Sequence, residues 1–243
     1  MKRFMLLAAF ACCMTVMNAQ NPQGKFSVKP LAGINVTGLS GGDVLNGVNG
    51  DNINLYHNKV RFTAGVEAEY GVNDWLGVSL GAVYSQQGAK IEYAEEIKVN
   101  QPEGDFFEVT EIDGSVKNDY INVPLMANVY IPGVKGLALK AGVQVGFCLN
   151  SKENMTTHVY AVPLSSSQLT IIDNYASQKT VMELKDFCKT VDFGIPVGLS
   201  YEYKNIVLDA RYYFGLTKID KTEYTDDTRN RYLSVTLGYR FHL

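Results

Sequence analysis

Hydrolytic chemistry needs a nucleophile or a water activated by a histidine that a carboxylate orients. Beyond residue 20 the chain offers His57, His158 and His242, a band of carboxylates at Glu92, Glu95, Glu96, Glu103, Asp105, Glu108, Glu111 and Asp113, and the thiols of Cys148 and Cys188. His57 and His158 fall in different long connections, and His242 lies at the chain's end. Nothing in their spacing asks them to meet, so no enzyme and no catalytic residue is expected. A hydrolase built from His57 and His158 is the last of the alternatives. The carboxylate band could bind calcium through hard oxygen ligands, but it has no spaced loop motif. Its flanks, "KIEYAEEIKV" and "DFFEVTEI", alternate apolar with polar, which predicts a solvated acidic hairpin turning at Gln101–Asp105. "NGVNGDNINLY" reads as a flexible surface segment without phosphate-binding context. No metal and no cofactor are expected.

The elements that must position these groups are strands. Apolar residues recur at every second position, the signature of a β-strand with one greasy face. In "VRFTAGVEAEYGV" Val60, Phe62, Ala64, Val66, Ala68 and Tyr70 share one face. "FSVKPLAGINVTGL", "LGVSLGAVY", "YINVPLMANVYI", "LALKAGVQVGFCL", "TVDFGIPVGLSYEY", "IVLDARYYFGLT" and "RYLSVTLGYRFHL" repeat the pattern, making eight strands. Their connections alternate long and short. The short ones are Asn73-Asp74-Trp75, "PGVKG" at 132–136 and Lys204-Asn205; the long ones cover roughly 40–59, 88–117, 150–187 and 218–229.

An even number of antiparallel strands, with tight turns at one end and long loops at the other, fits an eight-stranded outer-membrane β-barrel. Lipid-facing and lumen-facing residues alternate there, so no long apolar run is needed. Folding back about the short turns sets Glu67 opposite Gly81, Glu69 opposite Ser79, Arg211 opposite Gly198 and Asp209 opposite Ser200. Long charged side chains then face small ones, as a narrow lumen requires. Pro30, Pro124 and Pro196 cannot donate to a ladder, so bulges or lost pairing are expected there.

The inward face carries Lys29, Arg61, Lys140, Arg211 and Arg240 against Glu67, Glu69, Asp192, Glu202 and Asp209. Such a set could be an ion pathway or a plug. Equal numbers of each sign favour the plug, because an eight-stranded barrel is about filled by its own side chains and buried charges persist when paired. Arg211 and Arg240 are expected against Asp209 and Glu202 near the short-turn end, with little conductance. Cys148 and Cys188 share the inward parity where neighbouring strands reach the long-loop rim. They form either a disulfide, for which the chain-entropy scale gives roughly 4 kcal/mol, or two unrelated small inward residues.

"MKRFMLLAAFACCMTVMNAQ" joins Lys2 and Arg3 to an apolar stretch and a small residue at Ala19, which predicts a signal peptide over 1–19 and a single domain over 20–243. With 22 basic and 25 acidic side chains, the chain lacks the basic excess of a nucleic-acid binder.

"DFGIPVGLSYEYKNIVLDARYYFGLT" and "RNRYLSVTLGYRF" resemble the PorT-like outer-membrane β-barrel domain of Bacteroidetes. Asp192-Phe193-Gly194, Gly198, Tyr201, Asp209-Ala210-Arg211-Tyr212, Gly215-Leu216 and Gly238-Tyr239-Arg240-Phe241 carry the likeness, with Val123-Pro124-Leu125 in the central strand. The resemblance covers the chain from about Lys25. It implies an outer-membrane location and insertion by the barrel-assembly machinery, which reads an aromatic near the terminus of the last strand; Tyr239 and Phe241 fill that role here, although His242 and Leu243 run past it. It also implies that some relatives serve protein secretion. The expected protein is a non-enzymatic barrel with both termini periplasmic, in contact with outer-membrane lipid and with envelope proteins. A secretion component and a narrow pore are the nearer alternatives. No small-molecule ligand is named by the sequence.

Overall fold

Alternating sequence becomes alternating structure. A computed structural model describes residues 23–41, 44–46, 52–54, 56–99, 106–163, 173–221 and 228–243; the segment 1–19 and the Gln101–Asp105 turn lie outside them. The wall strands are β1 (Phe26–Ser40), β2 (Lys59–Asn73), β3 (Leu76–Val99), β4 (Phe106–Tyr130), β5 (Leu137–Pro163), β6 (Val191–Tyr203), β7 (Ile206–Gly215) and β8 (Arg229–Tyr239). Each pairs antiparallel with its sequence neighbours. β1 also pairs with β8, and β5 pairs with β6 across the intervening excursion, so the ring closes with eight strands. The four expected oppositions all occur: Glu67↔Gly81, Glu69↔Ser79, Arg211↔Gly198 and Asp209↔Ser200.

The short turns set this register. Lys204 and Asn205 both have positive φ, 47° and 67°, the left-handed pair whose twist suits a two-residue hairpin. In the 132–136 turn Gly136 has φ 84°, and a β-carbon there would lie 2.1 Å from the Glu202 carbonyl oxygen. Only glycine fits.

Each proline sits at a gap in one ladder. The β3–β4 register is interrupted between Leu80↔Leu125 and Val83↔Asn122, where Pro124 falls. The β5–β6 register is interrupted between Gly194↔Gln144 and Val197↔Ala141, where Pro196 falls. Pro30 lies where the last strand breaks at Arg240, between Leu31↔Gly238 and Val28↔Phe241. A closed wall thus tolerates proline where the missing N–H meets no waiting carbonyl.

Side chains divide as the alternation requires. Ile34, Phe62, Leu80, Leu139, Leu208 and Leu237 point outward and are each about half exposed, 48% to 57%. A continuous apolar belt of this kind suits hydrocarbon and not water. The inward face is polar and buried: Ser27, Lys29, Asn35, Thr63, Glu67, Asn122 and Asn128 are all nearly inaccessible.

The long-loop end departs from the expected loops. β3 and β4 stay paired from Gly88↔Lys117 up to Val99↔Phe106, and β5 continues alongside β4 to Pro163. Asp173–Glu183 adds a fourth strand on β5, and Tyr56–His57 pairs with Lys90 and Ile91. An upright sheet therefore stands on one half of the rim. The hairpin over 88–117 follows the alternation read in its flanks, whereas the expected loop at 150–187 is mostly strand. Its alternation is masked by the threonines and serines of "MTTHVY" and "ASQKTV". Where a flexible first loop was expected, Val44–Asn46 pairs with Asn52–Asn54.

Candidate functional site

The lumen holds the charges in layers. At the short-turn end the chain breaks at Arg240, and its side chain turns inward. Its guanidinium lies 2.9 Å from Glu69 and 2.8 Å from Glu202, and donates to Ser27 at 3.0 Å. Tyr130 donates its hydroxyl to Glu69, and His242 stands 3.8 Å from Glu202. One guanidinium is shared by two carboxylates.

In the next layer the balance reverses. Lys29 reaches Glu67 at 2.8 Å and Asp209 at 3.5 Å; Lys140 reaches Asp209 at 2.7 Å and Glu67 at 3.7 Å. Arg211 grips Glu67 through both terminal nitrogens, one at 2.8 Å, and donates to Asp209 from Nε at 2.6 Å and Nη2 at 2.7 Å. Three cations surround two carboxylates. The two layers together carry four charges of each sign, which is the condition under which buried ions persist. The two arginines do pair with Asp209 and Glu202, but in separate layers and with the partners Glu67 and Glu69 added.

Above the charges lies a girdle of amides and tyrosines, which charge counting did not reveal. Tyr213 and Tyr232 stack with ring centroids 4.8 Å apart. Asn122 and Gln144 donate to the Tyr232 hydroxyl at 3.1 and 2.9 Å, and Asn35 donates to Ser85 at 2.9 Å. Their inward parity with Arg211 and Ser234 was the available signal. The space left among Asn35, Glu67, Gln144, Arg211 and Tyr232 is about 30 Å³, room for a water or two. Side chains fill the lumen.

Two of the ten expected lumen charges stand apart. Arg61 donates to the Val116 carbonyl at 2.9 Å near the rim. Asp192 accepts from Asn230 at 3.0 Å and from Tyr213 at 3.1 Å.

Of the two readings of Cys148 and Cys188 the disulfide does not hold in the structure, where both are free thiols. Register explains this correction. The Cys148 N–H bonds the Thr190 carbonyl at 2.8 Å, so Cys148 faces residue 190 and not 188. Cys188 sits in the turn before β6, bridged to Asp220, with its sulfur 3.4 Å from the Ser151 hydroxyl. Cys148 turns its own thiol toward the Asn150 carbonyl at 3.5 Å.

The histidines do not meet over the mouth. His57 lies 3.9 Å from Glu92, and His158 faces Glu111 across the β4–β5 ladder. Lys90 bonds Glu92, which raises the lysine's pKa and lowers that of the carboxyl. Among the described residues no group of three or more His, Cys, Asp and Glu gathers as a metal site. Over the mouth itself Leu39, Ala89 and Ile219 form a small apolar cluster with Tyr56 against it. Tyr239, at the end of the last wall strand, and Phe241 just beyond it pack as a tilted ring pair with centroids 4.8 Å apart.

Compared with known proteins, residues 18–221 match the family described as outer membrane protein beta-barrel domain. Among solved structures the chain is similar to Ail, the attachment invasion locus protein of Yersinia pestis, at 16% identity and a TM-score of 0.44, covering 90% of this chain and 99% of that one. It is also similar to OprG of Pseudomonas aeruginosa, at 12% identity and a TM-score of 0.38 over 93% and 100% of the two chains. A third likeness is to Neisserial surface protein A, at 16% identity and a TM-score of 0.34 over 88% and 96%. No curated protein matches the chain.

Proposed function

This chain belongs to the outer membrane protein beta-barrel domain family, and on that premise we propose that it is a non-enzymatic barrel that acts through protein contacts made by its upright sheet. It is a transmembrane β-barrel of the outer membrane. The observation that carries the reading is the contrast between the two ends of the wall. The lumen is packed with paired charges, which gives solute no path. Strands β3, β4 and β5 meanwhile rise well past the ring and end in a strand, Asp173–Glu183, whose outer edge is unpaired among the described residues. Ser177 through Glu183 are exposed along that strand, Val181 and Met182 included. An open sheet edge offers unpaired N–H and carbonyl groups to another chain, and strand addition is a common mode of peptide recognition.

In this reading both termini and the short turns face the periplasm, residues 1–19 are a cleaved leader, and the sheet stands outside the cell. Tyr239 and Phe241 serve insertion by the barrel-assembly machinery. The resemblance of Asp192-Phe193-Gly194 and Asp209-Ala210-Arg211-Tyr212 to the PorT-like domain supports a second reading, a role as a secretion component or assembly factor. The test is a mild-detergent pull-down of the tagged protein from its native outer membrane, beside a variant in which a tight turn replaces 89–116. Stoichiometric envelope partners held by the full chain and lost from the variant support the contact role. A barrel that emerges alone and passes steady single-channel currents is a pore, and the proposal fails.

A further inference from the structure

Packing loosens at the mouth. The lumen leaves about 30 Å³ among its side chains, whereas a cavity of about 140 Å³ opens at the long-loop end of the ring. Its apolar walls come from five separate segments. Leu39 comes from the end of β1, Tyr56 from the short strand beside β3 and Val116 from β4. Leu184 and Phe187 come from the turn before β6, and Ile219 from the segment after β7.

Backbone bonds hold these parts in place. The Lys189 N–H donates to the Ile219 carbonyl at 2.7 Å, and the Lys221 N–H to the Phe187 carbonyl at 3.0 Å. The Leu184 N–H donates to the Ser151 carbonyl at 2.9 Å. The cavity is therefore formed before anything enters it, which spares a ligand the cost of ordering its site.

Polar groups on the wall are already engaged. The Ser151 hydroxyl donates to Asn118 Oδ1 at 2.7 Å and lies 3.4 Å from the Cys188 sulfur. The Thr228 hydroxyl donates to the Gly41 carbonyl at 3.3 Å. Half-buried Asp220 is the one charged residue among the described lining. A buried water needs roughly two to four polar partners, whereas apolar cavities on the order of 150 Å³ lined by leucine, isoleucine and phenylalanine stay dry and take up benzene. Volume and walls here match a ring better than water.

The cavity has one way in. Below Asn118 on the same face of β4, Tyr120 and Asn122 are buried against the filled lumen. On the outer side Phe187 is 57% exposed, so the wall it forms reaches the surface.

We propose that this mouth cavity is a binding site for a small neutral apolar molecule, of the size of one aromatic ring. The ligand lies against Leu39, Val116 and Ile219 and covers the exposed ring of Phe187. An ionised molecule is refused, because a charge would give up its hydration against these walls. With no onward path through the lumen, the site captures its ligand and does not conduct it. It does not depend on the contact role of the upright sheet.

The test titrates toluene into methyl-labelled protein in lipid nanodiscs and follows the methyl resonances of Leu39, Val116 and Ile219. These should shift and reach a plateau. Lipid-facing methyls such as those of Leu139 and Leu237 should drift without saturating as toluene enters the bilayer. Benzoate, in which a carboxylate replaces the methyl group, should leave the mouth resonances unmoved. Ile219→Trp fills the cavity and should abolish the saturating shift of Leu39 and Val116. Where that variant does not fold, N-ethylmaleimide on Cys188 of the folded wild type puts a ring into the same space, since Cys188 lines the cavity, and should do the same. Mouth methyls that drift with the lipid-facing ones and show no plateau overturn the proposal. So does a plateau that benzoate matches, or one that survives both ways of filling the cavity.

Discussion

Single residues in this lumen differ in consequence according to how many partners their removal strands. Arg240 is shared by Glu69 and Glu202, so Arg240→Ala leaves two buried carboxylates without their guanidinium and should cost about 3–5 kcal/mol, the range for breaking a buried pair. Lys29 is one of three cations about Glu67 and Asp209, and Lys29→Met should cost much less because Lys140 and Arg211 remain on both carboxylates. Urea unfolding of the two variants in the same detergent checks the order. A pH effect belongs to Glu153, above the ring on β5, whose carboxyl is pushed up from its ordinary value by burial. The folded state then holds that proton more tightly than the unfolded one. Its contribution is favourable at low pH and is lost as pH rises from the ordinary carboxylate range through the folded value. Protease susceptibility of the upright sheet should increase over that window, and Glu153→Gln should flatten the increase. Much at this scale was readable from parity alone, since alternation put all ten charges on the inward face. Which of them pair was not readable, because partners such as Glu67 and Arg211 lie 144 positions apart and meet only when the ring closes. Whether Cys148 and Cys188 bond was left open for a similar reason: parity placed both cysteines inward, but a register offset of two residues decides whether sulfurs meet.

Elements obey local rules more closely than residues do. The turn at Lys204-Asn205 holds a lysine at φ 47°, a conformation that costs an L-residue roughly 1–2 kcal/mol. Lys204→Gly should relieve part of that strain and raise stability by up to about 1 kcal/mol, while Gly136→Ala drives a methyl into the Glu202 carbonyl and should block folding to the heat-resistant form seen by gel mobility. The three prolines were legible as interruptions because a missing N–H is a property of the residue. Strand length was less legible. In β5 the alternation continues past the ring as Met155, Thr157, Val159 and Ala161, with threonine among the apolar positions, and the expectation of a loop over 150–187 came from that dilution. A strand that leaves hydrocarbon no longer needs an apolar face, so hydropathy fades where hydrogen bonding does not.

For the whole molecule, a filled lumen predicts silence. Planar bilayers containing the purified protein should show no steady conductance at ordinary voltages, and replacing Lys140 and Glu67 together by alanine should be needed before any appears. Composition and alternation identified the barrel; closure, layering and the one-sided sheet are collective, and no segment announces them. The one-sided sheet also has a mechanical consequence. β4 runs unbroken for 25 residues, about 80 Å at roughly 3.3 Å per residue, and its ladders with β3 and β5 lie parallel to any pull along it. Tension applied at the tip is carried as shear across many bonds at once, and not as a peel that opens them one by one. Strand β8, four places round the ring from β4, bears almost none of it.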